Sequence, residues 1–545
     1  MTIDIDLHAL ISEMAALLQH GAPPESRYYA DFLQRPELSV QIIDVIAALN
    51  EREIDEEPAF YSACIFALEV CISQLQAETE AGNKASIRAL NHLMSHFAFV
   101  IRNSAHSLSF WLPVLNTFYE VHVDLSAELK EAYLNLIDKE SSPATTDETA
   151  NLNAIKNLIQ ELSDLSIFDI AENFFAQSYA LPADLYADLV IDLFHVENGQ
   201  EIAVLSLLHP DKEVRDVVAD TIAEMIDDVQ LNPISLSRLN AIKAWYPAEY
   251  HDMFNQWIKK QRKKGVVFSC SGKLNESIQI KASEIDGSGA QGIFIEFKTE
   301  RVNRLGSLLF KQETGIKDVW ITPPITAKEL KRYYHESFED NVMLRKVDIS
   351  YLCLMVNHFL VLTIEQGNVP DLHLLEIQEE LGLHFIPQRL DTAQAMEELA
   401  VQITPFTEEA LEESLQRSKM WPKNKRFTES WFMENAKIDK LVNRFCSFVE
   451  GVKVCRIEDA MRDVFAEEME SNRKQWVFHF LWVALWLKSG ARKREKLWQD
   501  SFFIAYAIYQ GRPLHTIPIM WEICYQSVIN SMETMHERRT HLAKE

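Results

Sequence analysis

Residues 265–324 read GVVFSCSGKLNESIQIKASEIDGSGAQGIFIEFKTERVNRLGSLLFKQETGIKDVWITPP and decide the fold. Seven of the chain's 15 glycines fall here. Apolar and polar residues alternate in Ile278-Gln279-Ile280 and from Ile293 to Lys298. A period of two predicts strands. Asp286-Gly287 supplies the chemistry of a hairpin turn between them. Outside this stretch the apolar residues recur at three- and four-residue steps, which predicts helices. The expected fold is therefore mainly α, with helical repeat or bundle arms flanking a small glycine-rich β or α/β region.

On the N-terminal side, residues 1–138 form a run of amphipathic segments broken by prolines and acidic clusters. Residues 139–149, KESSPATTDET, are small, polar and proline-bearing, the composition of a linker. A second helical region follows over 150–264. On the C-terminal side, 326–425 is mixed but mainly helical, and 426–545 is a tryptophan-rich helical region. With the central β-rich stretch, 265–325, this partition sets the expected domains. About 150 residues per domain suits three or four cores in 545 residues.

One helical segment carries a resemblance. Residues 203–225 read AVLSLLHPDKEVRDVVADTIAEM: an apolar helix, a turn at Pro210-Asp211, then a helix opening at Val214-Arg215. This resembles one HEAT repeat, which implies a helix pair that buries its apolar face only by stacking on neighbours. Residues 284–300, EIDGSGAQGIFIEFKTE, resemble the D…(D/E)-x-K strands of the restriction-endonuclease-like superfamily. That resemblance implies Asp286 and Glu296 as ligands of Mg or Mn and Lys298 as the group orienting the attacking water. Glu249 or Asp252 would supply a further acid from a preceding helix.

Other motifs are incomplete. Residues 287–292 match G-x-G-x-x-G, but a strand follows where a dinucleotide site needs a helix. A kinase reading could use Lys311, yet neither H-R-D nor D-F-G occurs downstream. His536 and His541 are five apart and fall on different helix faces, so they miss the H-E-x-x-H zinc pattern. Seven scattered cysteines, without C-x-x-C, predict buried thiols and neither a disulfide framework nor a cysteine-rich zinc site.

The net charge of −28 repels phosphate backbones overall, so nucleic acid needs a local basic patch. Lys259, Lys260, Arg262, Lys263 and Lys264 form the candidate anion patch; they equally suit a helix C-terminus. Trp482 and Trp486, followed by Lys488, Arg492, Lys493, Arg494 and Lys496, suit a helix core or an interfacial membrane helix. The apolar run 476–487 is too short to span a bilayer, and the acidic opening MTIDIDLHAL is no secretory signal. The expectation is a cytoplasmic, non-catalytic scaffold or adaptor that binds another protein and needs no cofactor. The alternatives are the metal-dependent nuclease and a peripheral binder of anionic membranes.

Overall fold

The computed structural model describes residues 7–19, 26–51, 58–80, 82–140, 148–269, 278–298, 303–338, 343–421, 431–433, 435–449, 452–489 and 497–542. The fold is mainly helical around a five-stranded antiparallel sheet. Two compact units divide the chain: residues 1–202 with 216–221, and 203–215 with 222–545.

The first unit is all helix among the described residues. Its axis is Pro58–Glu80, which buries Cys64, Leu68, Cys71, Ile72 and Leu75 against the helices around it. This helix is long and apolar enough to cross a membrane by length and composition. The 141–147 part of the expected linker lies outside the described residues; the helices Ala127–Glu140 and Glu148–Glu161 flank it.

In the second unit, β1 (Ile278–Ser283), β2 (Ala290–Lys298), β3 (Asn303–Lys311) and β4 (Gly315–Ile321) form a meander. A fifth strand, β5 (Leu344–Val347), adds antiparallel to the outer edge of β1. Residues 301–312 read equally as helix or strand in the sequence; the pairing of 303–311 with β2 and β4 makes that part strand. Short β5 was not legible at all. Conversely Leu383–Ile386, a possible strand by composition, is irregular; its Phe385 carbonyl accepts from Trp245 Nε1 at 3.1 Å.

Register sorts the sheet's two faces. One carries Ile280, Ile293, Ile295, Leu308 and Phe310, all buried, against the helices Ile349–Glu365 and Leu372–Leu381. Phe310 stacks on Phe359 at 4.7 Å, and Phe359 meets Trp482 of helix Arg473–Ser489 at 4.8 Å. Gly315 makes the approach of β4 to this layer possible. Its φ is +90°, and a Cβ there would sit 2.6 Å from the Thr363 amide nitrogen. The other face carries Lys281, Phe294, Glu296, Leu305 and Trp320, half-covered by helix Ala327–Phe338.

Trp482 and Trp486 are fully buried, so they are core and present nothing to a membrane. Trp482 Nε1 donates to Tyr351 Oη, which donates to Gln291 on β2, so even its polar tip is committed inside. Residues 490–496, with most of the basic cluster, lie outside the described residues.

The cysteine expectation needs correction. Cys446 and Cys455 form a disulfide across a hairpin of β6 (Cys446–Val449) and β7 (Val452–Cys455). The odd total concealed a pair that the antiparallel pairing of β6 and β7 places directly opposite each other. Cys64, Cys71 and Cys524 are free and buried as expected, and Cys353 is free and half-buried. An isolated two-stranded hairpin is marginal in water, so this link holds it closed. Reduction is expected to speed amide exchange in β6 and β7 by on the order of 100-fold, the loop-closure entropy of a roughly ten-residue ring. Exchange in β2 and β3 should not change; hydrogen-exchange mass spectrometry checks both.

Candidate functional site

Asp286 sits where the turn chemistry requires. Its Oδ1 accepts from the Ser288 amide (3.0 Å), the Ser288 hydroxyl (2.8 Å) and the Ala290 amide (2.9 Å). Such an Asx turn fixes the β1–β2 hairpin. Gly289, at φ +76°, completes it, so the G-x-G-x-x-G match is hairpin chemistry.

Glu296 lies six residues beyond Ala290 on β2, roughly 20 Å along the strand at about 3.4 Å per residue. Two carboxylates sharing a divalent cation must each approach it to within about 2.6 Å. The structure therefore brings Glu296 and Lys298 together and leaves Asp286 apart, against the reading that Asp286 and Glu296 share a metal. Alternation along β2 puts Glu296 and Lys298 on one face.

Around Glu296 the arrangement is a clamp. The carboxylate is 3% exposed. Lys281 Nζ lies 2.5 Å from Oε1, and Lys298 Nζ lies 2.6 Å from Oε2. Lys281 also sits 3.7 Å above the Tyr334 ring, within cation–π range. Burial pushes the Glu296 carboxyl up, but hydrogen bonds from both lysines and from Tyr334 outweigh it and hold it below the usual range. The Tyr334 phenol is pushed up by burial and by that carboxylate. Lys281 and Tyr334 were missed in the sequence. No local pattern links them, since one is across the sheet and the other is on a helix 38 residues downstream of Glu296.

A second clamp lies on the opposite face. Arg304 Nη2 meets Glu376 at 2.6 Å, Nη1 meets Glu380 at 2.9 Å, and Nε donates to the Thr322 carbonyl at 2.9 Å. His373 Nδ1 lies 2.9 Å from Glu376. Burial pushes the Glu376 carboxyl up; the His373 hydrogen bond and the Arg304 charge overcome it and leave it low.

The basic run divides. Lys260 pairs with Asp227 at 2.7 Å. Lys264 Nζ donates to the carbonyls of Ile226 and Val229 at 3.2 and 2.7 Å, and to that of Asp227. Both are thus occupied in holding the chain after helix Lys212–Met225, which removes them from the expected anion patch. Lys259, Arg262 and Lys263 are exposed. Buried Gln261 completes the hold, donating to Ile226 and Val229 and accepting from the Leu231 amide. Gln261→Leu leaves that amide without its acceptor, so a loss of about 1–3 kcal/mol is expected in urea unfolding.

Asp211 caps helix Lys212–Met225 by accepting from the Glu213 amide, as the turn at Pro210-Asp211 required. Glu249 and Asp252 lie at the start of helix His251–Lys263. The side chains of His536 and His541 fall outside the described residues.

Fold and site together define a mainly helical protein whose central antiparallel sheet carries a clamped carboxylate on its outer face. Residues 182–265 match the model of the Y4lR second domain, and residues 393–532 match that of the Y4lR C-terminal helical domain. A Sinorhizobium fredii (strain NBRC 101917 / NGR234) protein, "Uncharacterized protein y4lR", is 24% identical over 351 residues. The alignment covers 63% of this chain and 65% of that protein's length. No solved structure matches. The sheet lies between the two matched stretches.

Proposed function

We propose that this chain is a non-catalytic scaffold or adaptor that binds another protein, and that it works in the cytoplasm. One observation carries the reading. Within the second unit a shallow cleft of about 240 Å³ is lined by Ile234, Arg238, Leu375 and Leu383. Beside it in the chain stand Val267 (63% exposed), Phe268 (36%) and Ile386 (60%). Exposed large apolar side chains flanking a cleft in the chain, with polar groups near them, suit an interaction site. The rim here is cationic: Arg262 lies 5.3 Å from the Phe268 ring centroid, with exposed Lys259 and Lys263 on the same helix. The partner surface is therefore apolar at its centre and acidic at its edge. Buried Arg238 braces the floor through a bidentate pair with Glu379 at 2.8 and 2.9 Å.

The nuclease alternative rests on Glu296 and Lys298 alone, since Asp286 is committed to its turn. Two assays separate the readings. The full chain used as bait in native lysate should recover a stoichiometric protein that Ile386→Asp loses. Incubation with nucleic acid and Mg or Mn should give no cleavage. Cleavage abolished by Glu296→Ala, or no partner under varied salt and pH, would overturn the scaffold.

A further inference from the structure

We propose that the outer face of the sheet is a binding site for a small amphipathic anion, a phosphate or carboxylate headgroup on an aromatic or short acyl body. The site is separate from the partner cleft and does not depend on the scaffold reading.

Charge is the first argument. Residues 278–347 contain 11 Lys and Arg against 10 Asp and Glu, a net of +1 in a chain of −28. The local sequence thus adds nothing to the repulsion that the rest of the molecule exerts on anions.

Register is the second. One cross-strand row runs Lys346, Lys281, Phe294, Ser307, Trp320. At about 4.8 Å between strands, two cations lead into a floor of Phe294, Ser307 and Trp320 roughly 10 Å long. Over the apolar end lies a cavity of about 240 Å³, lined by Phe294, Leu305, Ser307, Leu309, Trp320 and Tyr333, with Asp318 the one acidic residue in the lining, so the apolar body and not the headgroup belongs at this end. At about 30 Å³ per water, that space takes one aryl ring or a short acyl chain. A protein segment needs far more.

The third argument is the surplus charge at the clamp. Lys281 and Lys298 share the single carboxylate of Glu296. One positive charge is left over, and of the two lysines Lys281 is the less exposed, at 22% against 42%, so its charge is the less screened. Lys346 is exposed and adds a second. An anionic headgroup placed between Lys281 and Lys346 balances that excess while its apolar body fills the slot. Tyr334 lies under the Lys281 ammonium, 3.7 Å from it, and its ring meets that of Phe294 at 6.4 Å.

The test uses the full chain and isothermal calorimetry with three probes: 1-naphthyl phosphate, 4-phenylbutyrate and neutral 1-naphthalenemethanol. Saturable binding of an anionic probe is expected, with the neutral one weaker by about tenfold or more, the strength of one charge-assisted contact. Binding of the phosphate alone assigns a phosphate ester; binding of the carboxylate alone assigns a carboxylate. Lys281→Gln should weaken binding about tenfold. Ser307→Phe fills the slot while leaving every ion pair in place, so it decides the matter should Lys281→Gln misfold. Lys474→Gln, an exposed change on helix Arg473–Ser489, should bind as the wild type does. No saturable binding of either anion, equal binding of the neutral probe, or binding that survives Ser307→Phe in a folded protein overturns the proposal.

Discussion

Lowering the pH from 7 to 5 is expected to cost the second unit about 2 kcal/mol for each of three buried histidines, roughly 6 kcal/mol together. Burial lowers His209, His358 and His479 from 6.5 to about 4. Geometry agrees. His209 Nδ1 accepts from the Asp211 amide at 3.1 Å, and His358 Nδ1 accepts from the Leu390 amide at 3.0 Å, so protonation there would break a hydrogen bond. His479 Nε2 is buried with no hydrogen-bond partner among the described residues, between Trp431 and Trp476. The sign follows from proton counting. Below pH 6.5 the unfolded chain takes up protons that the folded one refuses until about pH 4, so acid favours unfolding throughout that window. Glu296 and Glu376 act in the same direction further down. Their folded pKa values lie below 4.5, so the stability they lend above 4.5 is lost as pH falls through those values. Urea unfolding followed by tryptophan fluorescence at pH 7.5, 6 and 5 measures the slope. His479→Phe should flatten it by one proton's worth; an unchanged slope would show that His479 titrates normally.

Arg304→Ala is expected to destabilise by about 3–5 kcal/mol, the cost of stripping the partner from a buried ion pair. Glu376 is 3% exposed and would keep its charge beside His373 alone. The Thr322 carbonyl would lose a donor as well. Arg304→Met with Glu376→Gln removes both charges and preserves most of the volume, so it should recover much of the loss. A double variant as unstable as Arg304→Ala would place the cost in packing instead. Guanidinium unfolding midpoints compare the three.

Those two clamps also show what the residues could and could not reveal in advance. The hairpin at Asp286 was legible because an Asx side chain and a left-handed glycine act within four residues. Glu296 and Lys298 were legible as a same-face pair because a strand's period is two. The meaning of the pair was not. Lys281 arrives from β1 and Tyr334 from helix Ala327–Phe338, and they turn a would-be metal ligand into a neutralised carboxylate. Likewise, a run of five cations looked like one patch. Helical geometry and the carbonyls of 226–229 divide it, drawing Lys264 inward and leaving Lys259, Arg262 and Lys263 outside. The tryptophans of helix Arg473–Ser489 gave an ambiguous face, since aromatic residues nearly all round a helix suit either a core or an interface. Only the packing of Phe359 and Tyr351 against Trp482 decides for the core. The alternation in β2 hid that both of its faces are covered over residues 293–297.

The central claim is that the carboxylate at the heart of the sheet belongs to the fold and not to a reaction centre. Titrating Mn²⁺ into the full chain and into Glu296→Gln, with bound metal read by electron paramagnetic resonance, tests it most directly. The account expects the two titrations to superimpose, because two ammonium groups already occupy the carboxylate. A Mn²⁺ site present in the wild type and lost in Glu296→Gln would contradict it.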